Sequence, residues 1–143
     1  MNVTAQVSRR IPAGPDRVWK TLTSKAGMKA YMMGADVETD WRPGHPIIIK
    51  GEVNGRGYRD HGEVRSYDPG HSFSYTHQSG RGGPVHLVKF ELMSNGPDTY
   101  VTVKQSNENG SSEPDRHRRE EYERTWSRML EGVEKAVRLN GVA

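Results

Sequence analysis

Residues 122–137, YERTWSRMLEGVEKAV, carry the clearest periodic pattern in the chain. Apolar side chains recur there at the i, i+3, i+4 spacing that places them on one face of a helix. They are Tyr122, Trp126, Met129, Leu130, Val133 and Val137. The pattern predicts a helix over about 113–139, roughly 40 Å long at the rise of an α-helix. Because no other long amphipathic helix is predicted, we expect its apolar face to pack on a β-sheet.

The N-terminal segment predicts a strand followed by two short helices. Apolar and polar residues alternate from Val3 to Ile11, which is typical of a half-buried strand. The sequence Pro12-Ala13-Gly14-Pro15 ends this strand, and a proline in the first turn favours a helix over about 15–22. Ser24 is a suitable N-cap for a second short helix that continues to Lys29.

Residues 35–107 predict six strands in succession. Alternating segments are separated by turn sequences such as Asn54-Gly55 and Asp68-Pro69-Gly70. Alternate residues from Tyr58 to Ser66, Asp60 among them, are predicted to face inward. Gly51 and Gly62 lie on the same face, where missing side chains allow a sheet to bend sharply. The predicted fold is α+β, with a curved antiparallel sheet of about seven strands wrapped around the C-terminal helix in a single domain, residues 1–143.

Composition and charge exclude several classes of function. The 143 residues include no cysteine, so disulfides and thiolate metal sites are excluded, and no histidine pair has the close spacing of zinc ligands. Arg116, Arg118 and Arg119 are followed at once by acidic residues, which predicts a solvated helix face rather than a nucleic-acid interface. No apolar run is long enough to span a membrane. We expect a cytoplasmic protein without metal or cofactor, as a monomer or weak homodimer.

Several short motifs, in this order, resemble the START-like (SRPBCC) superfamily with its helix-grip fold. Within it, they are similar to the branch named after activators of the heat-shock-protein-90 ATPase. The motifs are Ile11-Pro12-Ala13, Asp40-Trp41-Arg42-Pro43-Gly44, Gly62-Glu63-Val64, Tyr67-Asp68-Pro69 and Tyr122 with Trp126 and Leu130. The resemblance implies a cavity between sheet and helix for a small hydrophobic or aromatic molecule. It also implies a link to the stress response and a protein partner.

Strand and helix periodicity select the residues that face this interior. They are mostly apolar with a few polar groups, which is typical of a small-molecule site. The predicted pocket residues are Trp41, Ile47, Ile49, Tyr58, Phe73, Tyr75, His77, Val88, Phe90, Val103, Gln105, Trp126, Met129, Leu130 and Val133. Met32, Met33 and Trp41 are expected near the opening. The alternative is that the same side chains interdigitate as a solid core.

Three functions follow from these alternatives. The first is a non-catalytic module that holds the ligand, which a cavity closed at both ends would favour. The second is a cyclase- or aromatase-like enzyme that uses His77, Tyr75 and Asp60 as acid–base groups. An open cavity with His77 and Asp60 within hydrogen-bond reach would favour this enzyme. The third is a domain that modulates a chaperone ATPase, which an exposed apolar groove without a cavity would favour.

Overall fold

The computed structural model describes residues 3–108 and 118–142, and these residues form one antiparallel sheet with three helices. The elements in chain order are β1 (Val3–Ile11), α1 (Pro15–Thr23), α2 (Lys25–Tyr31), β2 (Asp36–Glu38), β3 (Pro46–Val53), β4 (Arg56–Asp68), β5 (Ser72–His77), β6 (His86–Asn95), β7 (Asp98–Asn107) and α3 (Arg119–Val142). This order confirms the predicted succession of a strand, two short helices, six strands and a long helix.

The seven strands lie in the order β1-β7-β6-β5-β4-β3-β2, so the N-terminal strand pairs with the last strand of the meander. The β3–β4 hairpin shows how the sequence determines its turns. Asn54 and Gly55 both have positive φ angles, 53° and 78°, as a two-residue turn that matches the strand twist requires. The sheet curves around α3, which confirms the predicted helix-grip fold.

The two short helices begin where their capping residues predict. Pro15 occupies the first turn of α1, and the Ser24 hydroxyl accepts a hydrogen bond from the Gly27 N–H at the start of α2. The buried residues of α1 include Val18 and Leu22. These helices pack against the C-terminal half of α3, where a Cβ added to Gly132 would lie 3.1 Å from the Tyr31 Cα. A glycine therefore permits the close approach of α2 and α3.

Helix α3 is tied to the sheet by its charged side chains as well as by its apolar face. Glu134 bonds to Arg9 of β1 at 2.9 Å and to Arg138 at 2.7 Å. On the apolar face Leu130 and Val133 are fully buried. The predicted first turn of this helix, from residue 113, lies outside the described residues.

The predicted assignment of side chains to the inward face is wrong at the C-terminal end of β4. The pairing shifts between Val64 and Ser66, so one extra residue stands on β4. This β-bulge turns Ser66 to the outer face, where its hydroxyl bonds to that of Ser74 at 2.6 Å. Tyr67 takes the inward position opposite Phe73 instead. Alternation alone cannot place such a residue, because a bulge reverses the parity of everything after it.

A cluster of aromatic rings fills one end of the concave face. Phe73 stacks on Phe90 with ring centroids 4.8 Å apart, and Trp41 meets the edge of Phe73 at the same distance. Trp19 and Tyr67 extend the cluster toward α1, with centroids 5.4 Å apart. This end of the fold is therefore a solid core.

Candidate functional site

A cavity of about 370 Å³ lies at the other end of the concave face, beneath the N-terminal half of α3. This volume is at the small end of the roughly 300–1,000 Å³ that is usual for ligand sites. Its lining residues are Met32, Ile49, Tyr58, Asp60, Tyr75, His77, His86, Val88, Gln105, Arg118, Glu121, Tyr122, Thr125, Trp126 and Met129. The cavity reaches the surface near the start of α3, because the side chains of Arg118 and Glu121 are more than half exposed.

The inner walls of the cavity are apolar. Ile49 and Val88 contribute from β3 and β6, and Trp126 and Met129 contribute from α3. Met32, just after α2, also lines the cavity, but it is buried and forms part of these inner walls rather than of the opening, where it is predicted. Burying apolar ligand surface against such walls contributes roughly 25 cal/mol per Å².

Gln105 and Trp126 form a polar pair within these walls. The Trp126 indole Nε1–H donates to Gln105 Oε1 at 2.7 Å, and both residues are at least 92% buried, with exposures of 5% and 8%. An indole nitrogen only donates, so the accepting atom of the amide must be its oxygen. The bond therefore fixes the orientation of the Gln105 amide and leaves its Nε2 amino group as the polar atom that the indole does not use.

A second polar pair, His77 and Asp60, lies where β4 and β5 separate. The regular pairing stops at Val64 and Tyr75, and one bridge between His61 and Gln78 follows. A Cβ added to Gly62 would lie 1.7 Å from the Thr76 carbonyl oxygen, so only glycine fits this approach. The irregular backbone brings Asp60 and His77 onto the cavity wall.

The contacts of Asp60 determine the tautomer of His77. Asp60 Oδ2 lies 2.9 Å from His77 Nε2, and Asp60 Oδ1 accepts from the Gly80 N–H at 3.1 Å. An ionised carboxylate only accepts, so His77 Nε2 carries a proton and Nδ1 is the basic atom of the neutral ring. This is the arrangement in which a carboxylate orients a histidine that acts as a base.

Two tyrosines add hydroxyl groups to the lining. Burial raises the pKa of the Tyr75 phenol far above its ordinary value. Burial, with a smaller contribution from the charge of Asp60, raises the pKa of Tyr58. Both phenols are therefore protonated at neutral pH, and each hydroxyl is able to donate or accept a hydrogen bond.

The mouth of the cavity carries paired charges. Arg118 Nη2 lies 3.1 Å from Glu121 Oε1, and this hydrogen bond lowers the pKa of Glu121. The Arg118 guanidinium also lies 5.2 Å from the centre of the Tyr122 ring, which meets His86 edge-on at 5.4 Å. The positive charge of Arg118 and the negative charge of Glu121 cancel, so these two residues give the mouth little net charge.

The fifteen predicted pocket residues form two groups, according to whether they line the cavity. Eight line the cavity: Ile49, Tyr58, Tyr75, His77, Val88, Gln105, Trp126 and Met129. The other seven lie outside its lining, in or against the hydrophobic core: Trp41, Ile47, Phe73, Phe90, Val103, Leu130 and Val133. Met33, expected near the opening, is 67% exposed and is absent from the lining. The fifteen residues are all buried or half-buried. Because eight line the cavity and seven do not, the alternatives of cavity and solid core each describe one part of the interior.

The lining also includes residues outside that set of fifteen. Tyr122 belongs to the apolar stripe of the helix, and Asp60 has inward parity on β4, so the sequence carried a signal for both. His86 lies directly opposite His77 on β6. Arg118, Glu121 and Thr125 carry no such signal, because charged and polar residues near a helix start usually face solvent.

Two features of other classes of protein are absent from the described residues. These residues contain no group of three or more histidine, aspartate or glutamate side chains that could hold a metal ion. Within the same ranges, no helix has both the length and the apolar character needed to cross a bilayer.

A curved sheet that grips a helix over a cavity defines a START-like domain. The family model described as "Activator of Hsp90 ATPase homolog 1-like protein" matches residues 12–138, and the chain belongs to this family. The search of curated proteins gave no match.

Solved structures agree with this assignment. The protein ChR145 from Cytophaga hutchinsonii is 30% identical, with all of both chains covered and a TM-score of 0.76. NE0264 from Nitrosomonas europaea is 16% identical, with 96% of each chain covered and a TM-score of 0.80. DynU16, described as a putative protein in the dynemicin biosynthetic locus, is 16% identical with a TM-score of 0.78, covering 94% of this chain and 46% of its own. The last two likenesses carry the fold alone.

Proposed function

We propose that this protein binds a small hydrophobic or aromatic molecule in the cavity between the sheet and α3. The observation that carries the proposal is the 370 Å³ cavity itself, whose inner walls are apolar while Gln105 and His77 offer fixed polar groups. A few oriented polar groups among apolar walls are typical of small-molecule sites. The cavity opens near Arg118 and Glu121, so the criterion of closure at both ends is not met, and the apolar walls support the binding proposal instead. An exposed apolar groove without a cavity, the criterion for a purely protein-binding domain, does not describe this arrangement either.

Native mass spectrometry of freshly purified protein, followed by titration with the dye 8-anilinonaphthalene-1-sulfonate, tests this proposal. We expect a co-purifying small molecule or saturable dye binding at one site per chain. Val88→Trp, which fills the cavity, should weaken dye binding at least fivefold. Lys89→Trp places the same ring on the outer face of β6 and should leave dye binding unchanged. Wild-type protein that carries no small molecule and binds no dye would contradict the proposal.

A second candidate function is acid–base catalysis in the same cavity. Two specific observations favour it: His77 and Asp60 are hydrogen-bonded at 2.9 Å, and the cavity reaches the surface near Arg118 and Glu121. In such a reaction His77 Nδ1 would take a proton from a carbon next to a carbonyl group, as the C–H electron pair moves into the enolate. Asp60 would stabilise the resulting imidazolium through Nε2.

Deuterium exchange tests this second function. Wild-type protein in D₂O should accelerate exchange of the α-protons of 2-tetralone, followed by NMR, and His77→Phe should abolish the acceleration. His61→Phe removes an exposed histidine from β4 and serves as the matched control, with exchange unchanged. Equal exchange rates in wild type and His77→Phe would exclude His77 as the base and leave the binding function in place.

A further inference from the structure

We infer that the cavity is specific for a two-ring aromatic molecule with a hydroxyl group at one end and a carbonyl group at the other. This inference rests on the proposed binding function and adds the chemical class of the ligand. His77 would accept a hydrogen bond from the hydroxyl, and Gln105 would donate one to the carbonyl. Asp60 and Trp126 are positioning residues, because they fix the polarity that His77 and Gln105 present.

The donor end of the site is Gln105. Its Oε1 is bound to the Trp126 indole, so the amide is unable to flip without leaving the indole N–H facing its own amino group. No described residue accepts from Nε2, and Gln105 lines the cavity, so this N–H donor is available to a bound molecule. A carbonyl oxygen is the matching ligand group.

The acceptor end of the site is His77. Its Nε2 proton is held by Asp60, whose other oxygen is held by the Gly80 backbone, so neither ring nor carboxylate is free to rotate. The Nδ1 atom has no hydrogen bond to a described residue, and His77 lines the cavity. A ligand hydroxyl, which supplies the proton that Nδ1 lacks, is the matching group.

The distance between the two groups favours a two-ring ligand. Gln105 lies opposite Val88, which lies opposite Tyr75, and His77 is two residues beyond Tyr75 on β5. Two strand spacings and one two-residue step place the Cα atoms of Gln105 and His77 about 12 Å apart. Both side chains project inward, so the remaining gap suits two fused rings with substituents at opposite ends.

The two tyrosines and the charged pair of the lining do not determine which end of the site accepts a hydrogen bond and which end donates one. The hydroxyls of Tyr58 and Tyr75 rotate and serve as donor or acceptor for either kind of ligand group. Arg118 and Glu121 are bonded to each other at the mouth. His77 and Gln105 are each held by a described partner that sets which role their remaining polar atom plays.

Binding of three related probes to the wild-type protein tests the inference. The probes are 6-acetyl-2-naphthol, its methyl ether 2-acetyl-6-methoxynaphthalene, and 2-naphthol, each titrated by calorimetry. Loss of one hydrogen bond should weaken binding about three- to tenfold. We therefore expect both the methyl ether and 2-naphthol to bind three- to tenfold more weakly than 6-acetyl-2-naphthol.

Two variants assign each preference to its residue. His77→Phe keeps an aromatic ring and should remove the preference for the hydroxyl over the methyl ether while keeping the preference for the acetyl group. Gln105→Met should do the reverse. Gln105→Met also leaves the Trp126 N–H unpaired, so the folding of this variant is checked by circular dichroism. If the variant does not fold, the binding of the three probes to wild type and to His77→Phe tests the inference.

The outcomes separate this inference from the proposed function. Three probes that bind wild type within twofold of one another would overturn the inference and leave hydrophobic binding intact. A hydroxyl preference that persists in His77→Phe would show steric exclusion of the methyl group and would also overturn it. If neither the probes nor the dye bind, the proposed function fails, and the inference fails with it.

Discussion

Replacing Phe90 by tryptophan should destabilise the protein, whereas the same replacement at Val88 should not. Both residues face inward on β6, two positions apart. Phe90 has no exposed surface, and its ring contacts those of Phe73, Trp126 and Tyr31 with centroids 4.8, 5.7 and 6.3 Å away. Val88 borders the 370 Å³ cavity. A larger ring therefore has space at Val88 and none at Phe90.

The expected magnitudes follow from this difference in packing. Forcing extra atoms into a filled core costs about 1–3 kcal/mol. Disturbing favourable aromatic pairs adds about 0.5–1.5 kcal/mol for each pair lost. We therefore expect Phe90→Trp to lower the free energy of unfolding by about 2–3 kcal/mol. At roughly 3 °C per kcal/mol for a chain of this length, Tm would fall by about 6–9 °C. Val88→Trp should cost less than about 1 kcal/mol.

Urea denaturation and thermal scans of the two variants measure these values, and dye titration provides a second readout. Phe90→Trp should keep most of the dye affinity in its folded state, while Val88→Trp should lose it. The two properties are thus expected to change in opposite directions at neighbouring sites. A stable Phe90→Trp protein together with a destabilised Val88→Trp protein would refute the division of the interior into core and cavity.

Three further predictions concern the fold. Gly62→Ala should lower the free energy of unfolding, measured by urea denaturation, by more than about 2 kcal/mol, because the added Cβ meets a backbone oxygen. Gly57→Ala is the control: the nearest atom to its Cβ is 3.9 Å away, so it should cost under about 1 kcal/mol. Burial opposes the ionisation of Glu134, but the hydrogen bonds and positive charges of Arg9 and Arg138 together outweigh it and hold the pKa below the ordinary 4.5. The stability advantage of wild type over Glu134→Gln should therefore be present above pH 4.5 and disappear as the pH falls through that lower pKa, in urea titrations at each pH. A chain truncated after Glu108 should show no cooperative thermal transition, because the large apolar side chains of α3 each contribute about 1.5–3 kcal/mol of burial.

The fold was predictable because its periodic patterns are strong and its turns have specific residues. The stripe from Trp126 to Val137 matches the buried face of α3, and Asn54-Gly55 forms the expected two-residue turn. These signals are local: a helix period or a turn dipeptide depends on neighbours within a few positions. The order of β2 to β7 then follows from short antiparallel connections, which leave few alternatives.

The division of the interior was not predictable from the same patterns. Alternation assigns a side chain to a face of the sheet, and it assigned both Phe90 and Val88 to the concave face. It contains no information on how far the helix lies from the sheet at each level. The bulge at Arg65 carries no marker in the sequence either. Only the structure therefore reveals that Tyr67, and not Ser66, takes the inward position.

The position of the cavity follows from where the short helices lie. Tyr31 contacts α3 near Gly132, and Arg17 of α1 donates a hydrogen bond to the Val137 carbonyl, so α1 and α2 hold the C-terminal half of α3 close to the aromatic core. The N-terminal half of α3 instead lies over the cavity and contacts the sheet through the Trp126–Gln105 bond. Val88 lies at this end, where the cavity leaves space beside it, so a larger side chain there should affect stability less than one among the aromatic rings of Phe73 and Phe90.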